Sequence, residues 1–346
     1  MTAATFIARV TAVFGRHLLV RDADGRELRA RPFGRGLEIV CGDDVQCRLD
    51  ARSGEIHVLE LQERRTALYR SNLRGGAEPV VANLSQLLVV LAPMPVPDLF
   101  VVDRYLAAAA SAAIGARLVL NKSDTQIGVG LEQELSAYRA AGYDWLVCST
   151  HSGDGMEALR AACSGSINAL VGQSGVGKSS LIRRLLPHAQ VEIGDLVRNE
   201  EGRHTTTASR LFDLEGGGGL IDSPGVRDFA PAIDRLDPRN LGFVEVARLA
   251  PQCRFADCRH MREPGCAVIA AVESGALHPR RYESYRRLRR LYEDLIEARG
   301  PQGRGPQGRG PQARGSQARG SQARGSQARG TDGRGTGRRG PNGDAD

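Results

Sequence analysis

The sequence predicts a multidomain chain of four parts. In order these are a small N-terminal β-barrel of OB type, an α/β domain around a phosphate-binding loop, a helical segment carrying a cysteine and histidine cluster, and a disordered tail. Three observations carry this reading. Glycine punctuates short alternating strands over the first 63 residues, apolar strands alternate with helical stretches from about 84 to 225, and nine Arg-Gly pairs spaced by five close the chain.

The first part holds Thr5–Phe14, His17–Arg21, an Asp24-Gly25 turn, Glu27–Ala30, Asp44–Leu49 and Glu55–Leu61 as strands. An all-β module of this length, over residues 1–65, fits an OB-type barrel. Strand spacing alone does not separate it from an SH3-like barrel. Residues 70–235 form the α/β domain, with strand Leu87–Leu91, helix Phe100–Ala113, strand Ala116–Leu120, helix Leu131–Ala141, strand Trp145–Cys148, helix Met156–Cys163 and strand Ser166–Val171. That alternation predicts a mostly parallel sheet. Residues 240–298 form a helical domain interrupted by the cysteine-bearing segment Pro251–Val268 and closed by the charged helix Arg280–Arg299. Residues 299–346, rich in Arg, Gly, Gln, Ser and Pro, offer no packed core and read as disordered.

Charge is concentrated at the end of the chain. The formal net charge is +7, and from Gly300 onward nine arginines against three aspartates supply +6 of it. The folded part is therefore nearly neutral, and only the tail advertises polyanion binding by composition. Just two of the 47 basic residues are lysines, Lys122 and Lys178, and both fall in the motifs described next.

The seven cysteines are an odd number, Cys253, Cys258 and Cys266 cluster, and the N-terminus lacks a signal-peptide pattern, so a reduced cytosolic setting is expected. The longest charge-free run, Pro79 to Pro97, holds four prolines and cannot be a spanning helix, so no membrane association is expected.

Gly172-Gln173-Ser174-Gly175-Val176-Gly177-Lys178-Ser179 fits the phosphate-loop pattern in full, between an apolar strand and a helix that continues through Ser180. Backbone N–H groups of such a loop wrap phosphates, Lys178 neutralises the outer ones and Ser179 ligates Mg²⁺. Both ATP and GTP remain open from this motif alone. Asn121-Lys122-Ser123-Asp124 follows an apolar strand and resembles the guanine-reading signature of the GTPase superfamily. Its aspartate accepts from the N1–H and exocyclic amine of guanine, a donor pair adenine lacks. Four such residues in isolation would read as a turn; beside a phosphate loop the guanine reading prevails.

Asp222-Ser223-Pro224-Gly225 has the Asp-x-x-Gly form, whose carboxylate serves Mg²⁺ and whose glycine N–H meets the γ-phosphate. Gly202–Thr207 suits a switch loop in which Thr205 or Thr206 closes on Mg²⁺. Ser149, in Cys148-Ser149-Thr150, stands where a base-lining element belongs. An ordinary GTPase runs phosphate loop, switch, Asp-x-x-Gly, Asn-Lys-x-Asp and base loop; here the last two come first. A circular permutation joining the old termini near Cys163–Gly165 produces this order and sends the chain from the second switch, around Gly225–Phe229, straight into the C-terminal domain.

With these motifs in place, residues 1 to about 298 resemble the ribosome small-subunit-dependent GTPase A family, circularly permuted GTPases of bacterial ribosome biogenesis. Gly202–Thr207, Asp222–Arg227 and Arg281–Tyr285 look like that family's own signatures. The tail lies outside the resemblance. Cys253, Cys258, His260 and Cys266 make a Cys₃His set; spacing alone leaves zinc and unpaired core thiols both open, and the resemblance implies a structural zinc. Cys41, Cys47, Cys148 and Cys163 read as small buried residues.

The position after Asp-x-x-Gly that holds a water-orienting glutamine in many GTPases is Val226 here, which implies slow intrinsic hydrolysis. The resemblance puts forward His204 as the missing catalytic group, against a plain solvated histidine. Arg286, Arg287, Arg289 and Arg290, with Tyr282 and Tyr285, suit either RNA backbone or a solvated face balanced by Glu283, Glu293, Asp294 and Glu297; the resemblance favours RNA. The tail suits either weak RNA binding or solubility.

The expected function is a cytosolic, monomeric GTPase that uses Mg²⁺, binds the small ribosomal subunit and its RNA, and acts in late maturation of that subunit. A guanine-nucleotide-gated RNA-binding module is the alternative, and an ATP-dependent enzyme is disfavoured by Asn121 and Asp124.

Overall fold

The computed structural model describes residues 5–299, apart from 16, 35, 52, 73–75, 188–208 and 228. The expected switch loop and the Arg-Gly repeats lie outside the described residues.

The first five strands, β1 (Thr5–Phe14), β2 (His17–Arg21), β3 (Glu27–Pro32), β4 (Asp44–Leu49) and β5 (Ile56–Leu61), close on themselves in the order β1-β2-β3-β5-β4. The ring is antiparallel except for β3 against β5, and β1 also pairs β4. This is the five-stranded OB-type topology, and the long-range β3–β5 pairing is what strand spacing could not supply. Alternate residues Ala8, Val10, Leu18, Val20, Val45, Cys47 and Val58 fill the interior.

Strand β1 serves two sheets. Its first half pairs β4 from Thr5 to Arg9, and a register shift between Val10 and Ala12 bends it. Ala12 and Val13 then pair with Arg210 and Ser209 of β12 (Ser209–Asp213), the outermost strand of the α/β sheet. A hairpin the sequence reading did not assign, β6 (Ala67–Ser71) with β7 (Ala77–Ala82), bridges the two regions. It also grips the segment after the second switch: Ser71 N donates to Ala230 O, and Ala232 N to Tyr69 O.

The α/β sheet contains β8 (Gln86–Leu91), β9 (Gly115–Leu120), β10 (Trp145–Val147), β11 (Ile167–Gly172), β12 and β13 (Gly219–Asp222), in the order β10-β9-β8-β11-β13-β12. All neighbours are parallel except β12. Helices cover both faces. Leu87, Val89 and Leu91 share one core with Val102, Tyr105 and Leu106 of α1 (Leu99–Ser111) and Tyr138 of α2 (Val129–Ala141). Leu88 and Val90 share the other with Leu159 of α3 (Met156–Cys163) and Leu181 and Leu185 of α4 (Lys178–Leu185). Burial on both faces explains the apolar runs Leu87–Leu91 of β8, Leu118–Leu120 of β9 and Ala169–Val171 of β11.

Beyond the short helix α5 (Pro224–Arg227) come α6 (Val244–Leu249), α7 (Ala267–Glu273) and the long α8 (Pro279–Arg299). Leu241, Phe243, Val246, Val268, Tyr285 and Leu288 form their core, which includes Ala107 and Ala108 of α1. An ion cluster crosses this boundary. The buried Arg281 donates from Nη1 to Asp103 of α1 at 2.5 Å and from Nε and Nη2 to Glu245 of α6 at 2.7 and 2.9 Å. Burial alone would lower the Arg281 pKa, and the two carboxylates outweigh it and raise it.

Helix α8 is therefore not the open basic face that its composition suggests. Arg281 and Arg289 are buried; Arg289 donates to the carbonyls of Pro238 and Arg239 and to the Tyr285 hydroxyl. Arg286 and Arg290 both pair with Glu283, and Arg287 stacks over the Phe100 ring at 4.0 Å. No helix among the described residues is long and apolar enough to cross a membrane.

Candidate functional site

The parallel strands bring the sequence motifs to one edge. The chain runs from β8 outward through β9 and β10, then returns to place β11 on the other side of β8. That reversal is a topological switch point, where ligands of open α/β sheets bind beyond the carboxyl ends of the strands. The phosphate loop follows β11, Asn121–Asp124 follow β9, Ser149 follows β10, and Asp222 ends β13.

Within the loop, Gly172 leaves no room for a side chain, since a Cβ there would lie 2.2 Å from the carbonyl oxygen of Val90. Gly177 has φ +96°, and its Cβ would lie 2.2 Å from Asn121 Nδ2. The buried Asn121 donates from that nitrogen to Val176 O at 2.9 Å. Lys122 donates to Gly175 O at 2.7 Å and to Met94 O at 2.9 Å. The first two residues of the Asn121–Asp124 motif thus brace the phosphate loop, and Asp124 is left exposed.

The buried Ser149 orients that carboxylate. Its hydroxyl donates to Asp124 Oδ1 and accepts from the N–H groups of His151 and Ser152, each at 3.1 Å. The bond from Ser149 holds the Asp124 carboxyl below the usual carboxylate range. Lys178 curls over the loop and donates to Gly172 O at 2.6 Å and Gln173 O at 3.0 Å. The Gln173 side chain in turn accepts from Asp98 N at 3.0 Å, and Asp98 caps α1. Helix α1 therefore runs from the phosphate loop to the Arg281 cluster.

Asp222 and Ser179 both lie within reach of Arg227. Arg227 lies between them: Nε donates to Asp222 Oδ1 at 2.7 Å, Nη2 pairs with Oδ2, and Nη1 reaches Ser179 Oγ at 3.4 Å. Sequence reasoning assigned Arg227 no role beyond closing the Asp222–Arg227 signature, because nothing in its spacing told which acid it meets. Val226 is buried in the same core cluster as Val80 and Phe229, so it cannot orient a water molecule. His204, Thr205 and Thr206 lie outside the described residues.

The ligating atoms of Cys253, Cys258, His260 and Cys266 all lie within 4.8 Å of one another. Cys253 Sγ is 3.9 Å from Cys266 Sγ, and His260 Nδ1 is 3.4 and 3.5 Å from those two sulfurs. A tetrahedral zinc with ordinary bond lengths sets these separations at about 3.8 and about 3.5 Å, so the donor set fits the ion. The surrounding loop is fixed by hydrogen bonds. Glu263 accepts from the N–H groups of Arg259, Met261 and Arg262, Tyr282 donates to His260 O, and Tyr285 to Arg259 O. The other four cysteines are buried, and burial pushes the Cys41 thiol up to about 12 and Cys47, Cys148 and Cys163 up to about 11, as inert packing residues require.

Sheet order, phosphate loop and base-reading strand end together define a phosphate-loop nucleotide-binding protein of the GTPase kind, with its motifs circularly permuted. Residues 61–231 match the family model described as RsgA GTPase. The small ribosomal subunit biogenesis GTPase RsgA of Pseudomonas aeruginosa is 42% identical over 284 residues, spanning 81% of this chain and 84% of that one. Its counterpart in Azotobacter vinelandii is 44% identical over 254 residues, spanning 72% and 74%. The chain belongs to the RsgA GTPase family. The crystal structure of YjeQ from Thermotoga maritima matches the fold with a TM-score of 0.65 at 25% identity, over 85% of this chain and 99% of that one. YloQ, described as a circularly permuted GTPase, matches with a TM-score of 0.65 at 23% identity, over 84% and 96%.

Proposed function

We propose that this chain is a GTPase that acts in biogenesis of the small ribosomal subunit, hydrolysing GTP to GDP and phosphate with stimulation by the subunit. The observation that carries the guanine assignment is the pairing of Asn121 with Val176 O, which puts the exposed Asp124 carboxylate beside the phosphate loop at one sheet edge. The family relatives support the ribosomal role.

In this reading the loop from Gly172 to Gly177 wraps the phosphates, Lys178 leaves its loop carbonyls for the outer phosphates, and Ser180 continues the helix start behind them. Asn121, Lys122, Ser123, Asp124 and Ser149 hold the base, and the Gly225 N–H meets the γ-phosphate. Ser179, Asp222 and Thr205 or Thr206 would hold magnesium, which when bound offsets the charge of the phosphates. His204 acts on the attacking water where the buried Val226 cannot.

Cys253, Cys258, His260 and Cys266 would hold a structural zinc. The barrel of residues 1–65 and the zinc-binding domain of 240–298 hold ribosomal RNA on either side of the GTPase domain of 70–235, and the Arg-Gly tail of 299–346 adds salt-sensitive affinity. The protein works as a cytosolic monomer. Measuring GTP turnover with and without small ribosomal subunits tests the proposal. Acceleration by subunits is expected, and an unchanged rate together with equal subunit binding by the GTP and GDP forms would overturn it.

A further inference from the structure

Among the described residues, the cations beside the phosphate loop rest on protein oxygens, and one of them does so in a way that bears on metal binding. Lys178 and Lys122 donate to loop carbonyls. Arg227 instead takes both carboxylate oxygens of Asp222 in a bidentate pair and extends its third donor group toward the Ser179 hydroxyl. These are the two described side chains assigned above to magnesium.

We propose that Arg227 is a latch on the magnesium site: its guanidinium competes with Mg²⁺ for Asp222 and Ser179 and has to be displaced when nucleotide and metal bind. The inference rests on the nucleotide reading above. Three physical points support it. A bidentate guanidinium engages both carboxylate oxygens in one plane, whereas Mg²⁺ and its waters demand near-octahedral geometry at about 2.0–2.1 Å from their ligands, so the two cannot share those oxygens. The charges also repel: a +1 group at the site opposes a +2 ion, and the pair is only partly solvated, with Arg227 31% and Asp222 18% exposed.

The third point is that the exchange needs only side-chain motion. The neighbours of Arg227 are anchored independently, Val226 and Phe229 in the apolar core and Ala230 and Ala232 by bonds to the β6–β7 hairpin. Arg227 is also exposed enough to swing outward while the short helix α5 stays in place. The latch offsets the Asp222 charge before metal arrives, and it raises the Mg²⁺ concentration at which the site fills. Arg227 is thus a positioning residue that acts through Asp222.

The test is a titration of the full chain with fluorescent N-methylanthraniloyl-GDP at fixed nucleotide and rising free Mg²⁺, read as the half-saturating Mg²⁺ concentration and independent of turnover. Arg227→Gln, which keeps side-chain length and hydrogen bonding but removes the charge, should lower that concentration about tenfold, equal to about 1.4 kcal/mol. Arg227→Lys keeps a cation but not the bidentate fork, so it should fall between Arg227→Gln and wild type; it also provides a reading should the glutamine variant fail to fold. A half-saturating concentration in either variant equal to or above that of wild type would overturn the latch and leave the nucleotide reading standing. Wild-type binding that ignores Mg²⁺, or no binding at all, would overturn both.

Discussion

Asn121 Nδ2 donates to the backbone carbonyl of Val176 at 2.9 Å, tying the end of β9 to the loop after β11 across 55 residues of sequence. Both groups are buried, and Gly177 is the residue that lets them approach. Asn121→Ala would leave the Val176 carbonyl without its partner, at a cost of about 1–3 kcal/mol. Nucleotide affinity in a fluorescence titration should fall roughly 5- to 150-fold, with Mg²⁺ held constant. An unchanged affinity would show that the brace is dispensable.

Asp124→Asn should exchange guanine for xanthine preference, because the amide offers one acceptor where guanine presents two donors. Ser149→Ala tests the same carboxylate by pH. The Asp124 pKa is lowered by the Ser149 hydroxyl, so its charged form is present at neutral pH and is lost only as pH falls through that lowered value. Removing the hydroxyl moves the loss to higher pH. GTP affinity measured from pH 7 down to about 4 should weaken earlier in Ser149→Ala than in wild type.

Lys178→Ala should reduce GTP turnover by about 100-fold or more, since one such electrostatic group typically supplies a few kcal/mol in the transition state. The fold should survive, because the loop whose carbonyls it bonds is already fixed by its glycines and by Asn121. A wild-type rate would remove Lys178 from the active site.

Cys258→Ser should abolish metal binding, read by elemental analysis as the loss of one zinc per chain. Cys253 and Cys258 pack on the apolar core that includes Tyr282 and Tyr285. The loss of structure should therefore spread beyond the loop into α7 and α8, visible as a lost near-ultraviolet tyrosine signal. GDP binding should persist at reduced thermal stability. Wild-type protein containing no zinc would refute the assignment.

Arg281→Ala strands the buried Glu245 and takes one partner from Asp103, which keeps Arg280 and Tyr138, and should cost about 3–5 kcal/mol of stability in denaturant unfolding. Arg286→Ala, which removes a partly exposed ion pair with Glu283, should cost no more than about 1 kcal/mol. Equal effects from the two would contradict the buried cluster.

What could be read from the sequence and what could not divides along one physical line. Motifs that act through local backbone and fixed spacing, such as Gly172–Ser179 and Asn121–Asp124, announce themselves, as do the doubly buried strands through their apolar runs. Interactions set by distant pairing do not. The β3–β5 contact that decides the barrel topology, the β6–β7 hairpin held by Ala230 and Ala232, and the β1–β12 junction all join segments without a shared local pattern. Arginine was the least legible residue of all. Arg286, Arg287, Arg289 and Arg290 suited either RNA or a solvated face, yet Arg289 turns inward onto two backbone carbonyls, Arg281 serves buried carboxylates, and Arg227 gave no sign that it would sit on Asp222.

The junction between β1 and β12 has a consequence for the chain during its synthesis. Val13 leaves the ribosome early, but its partner Ser209 follows roughly 200 residues later, about 10–40 s at ordinary elongation rates. Through that interval a barrel already able to close carries one strand whose outer end has unmatched amide and carbonyl groups, a template open to any passing strand. The Val10–Ala12 bend, past which β1 has left β4 but still pairs with β2, also limits how much of this end can be copied. Arrival of β12 covers that edge and withdraws the template, so a contact that must wait for distant sequence is also one that makes the newborn chain safe from its neighbours.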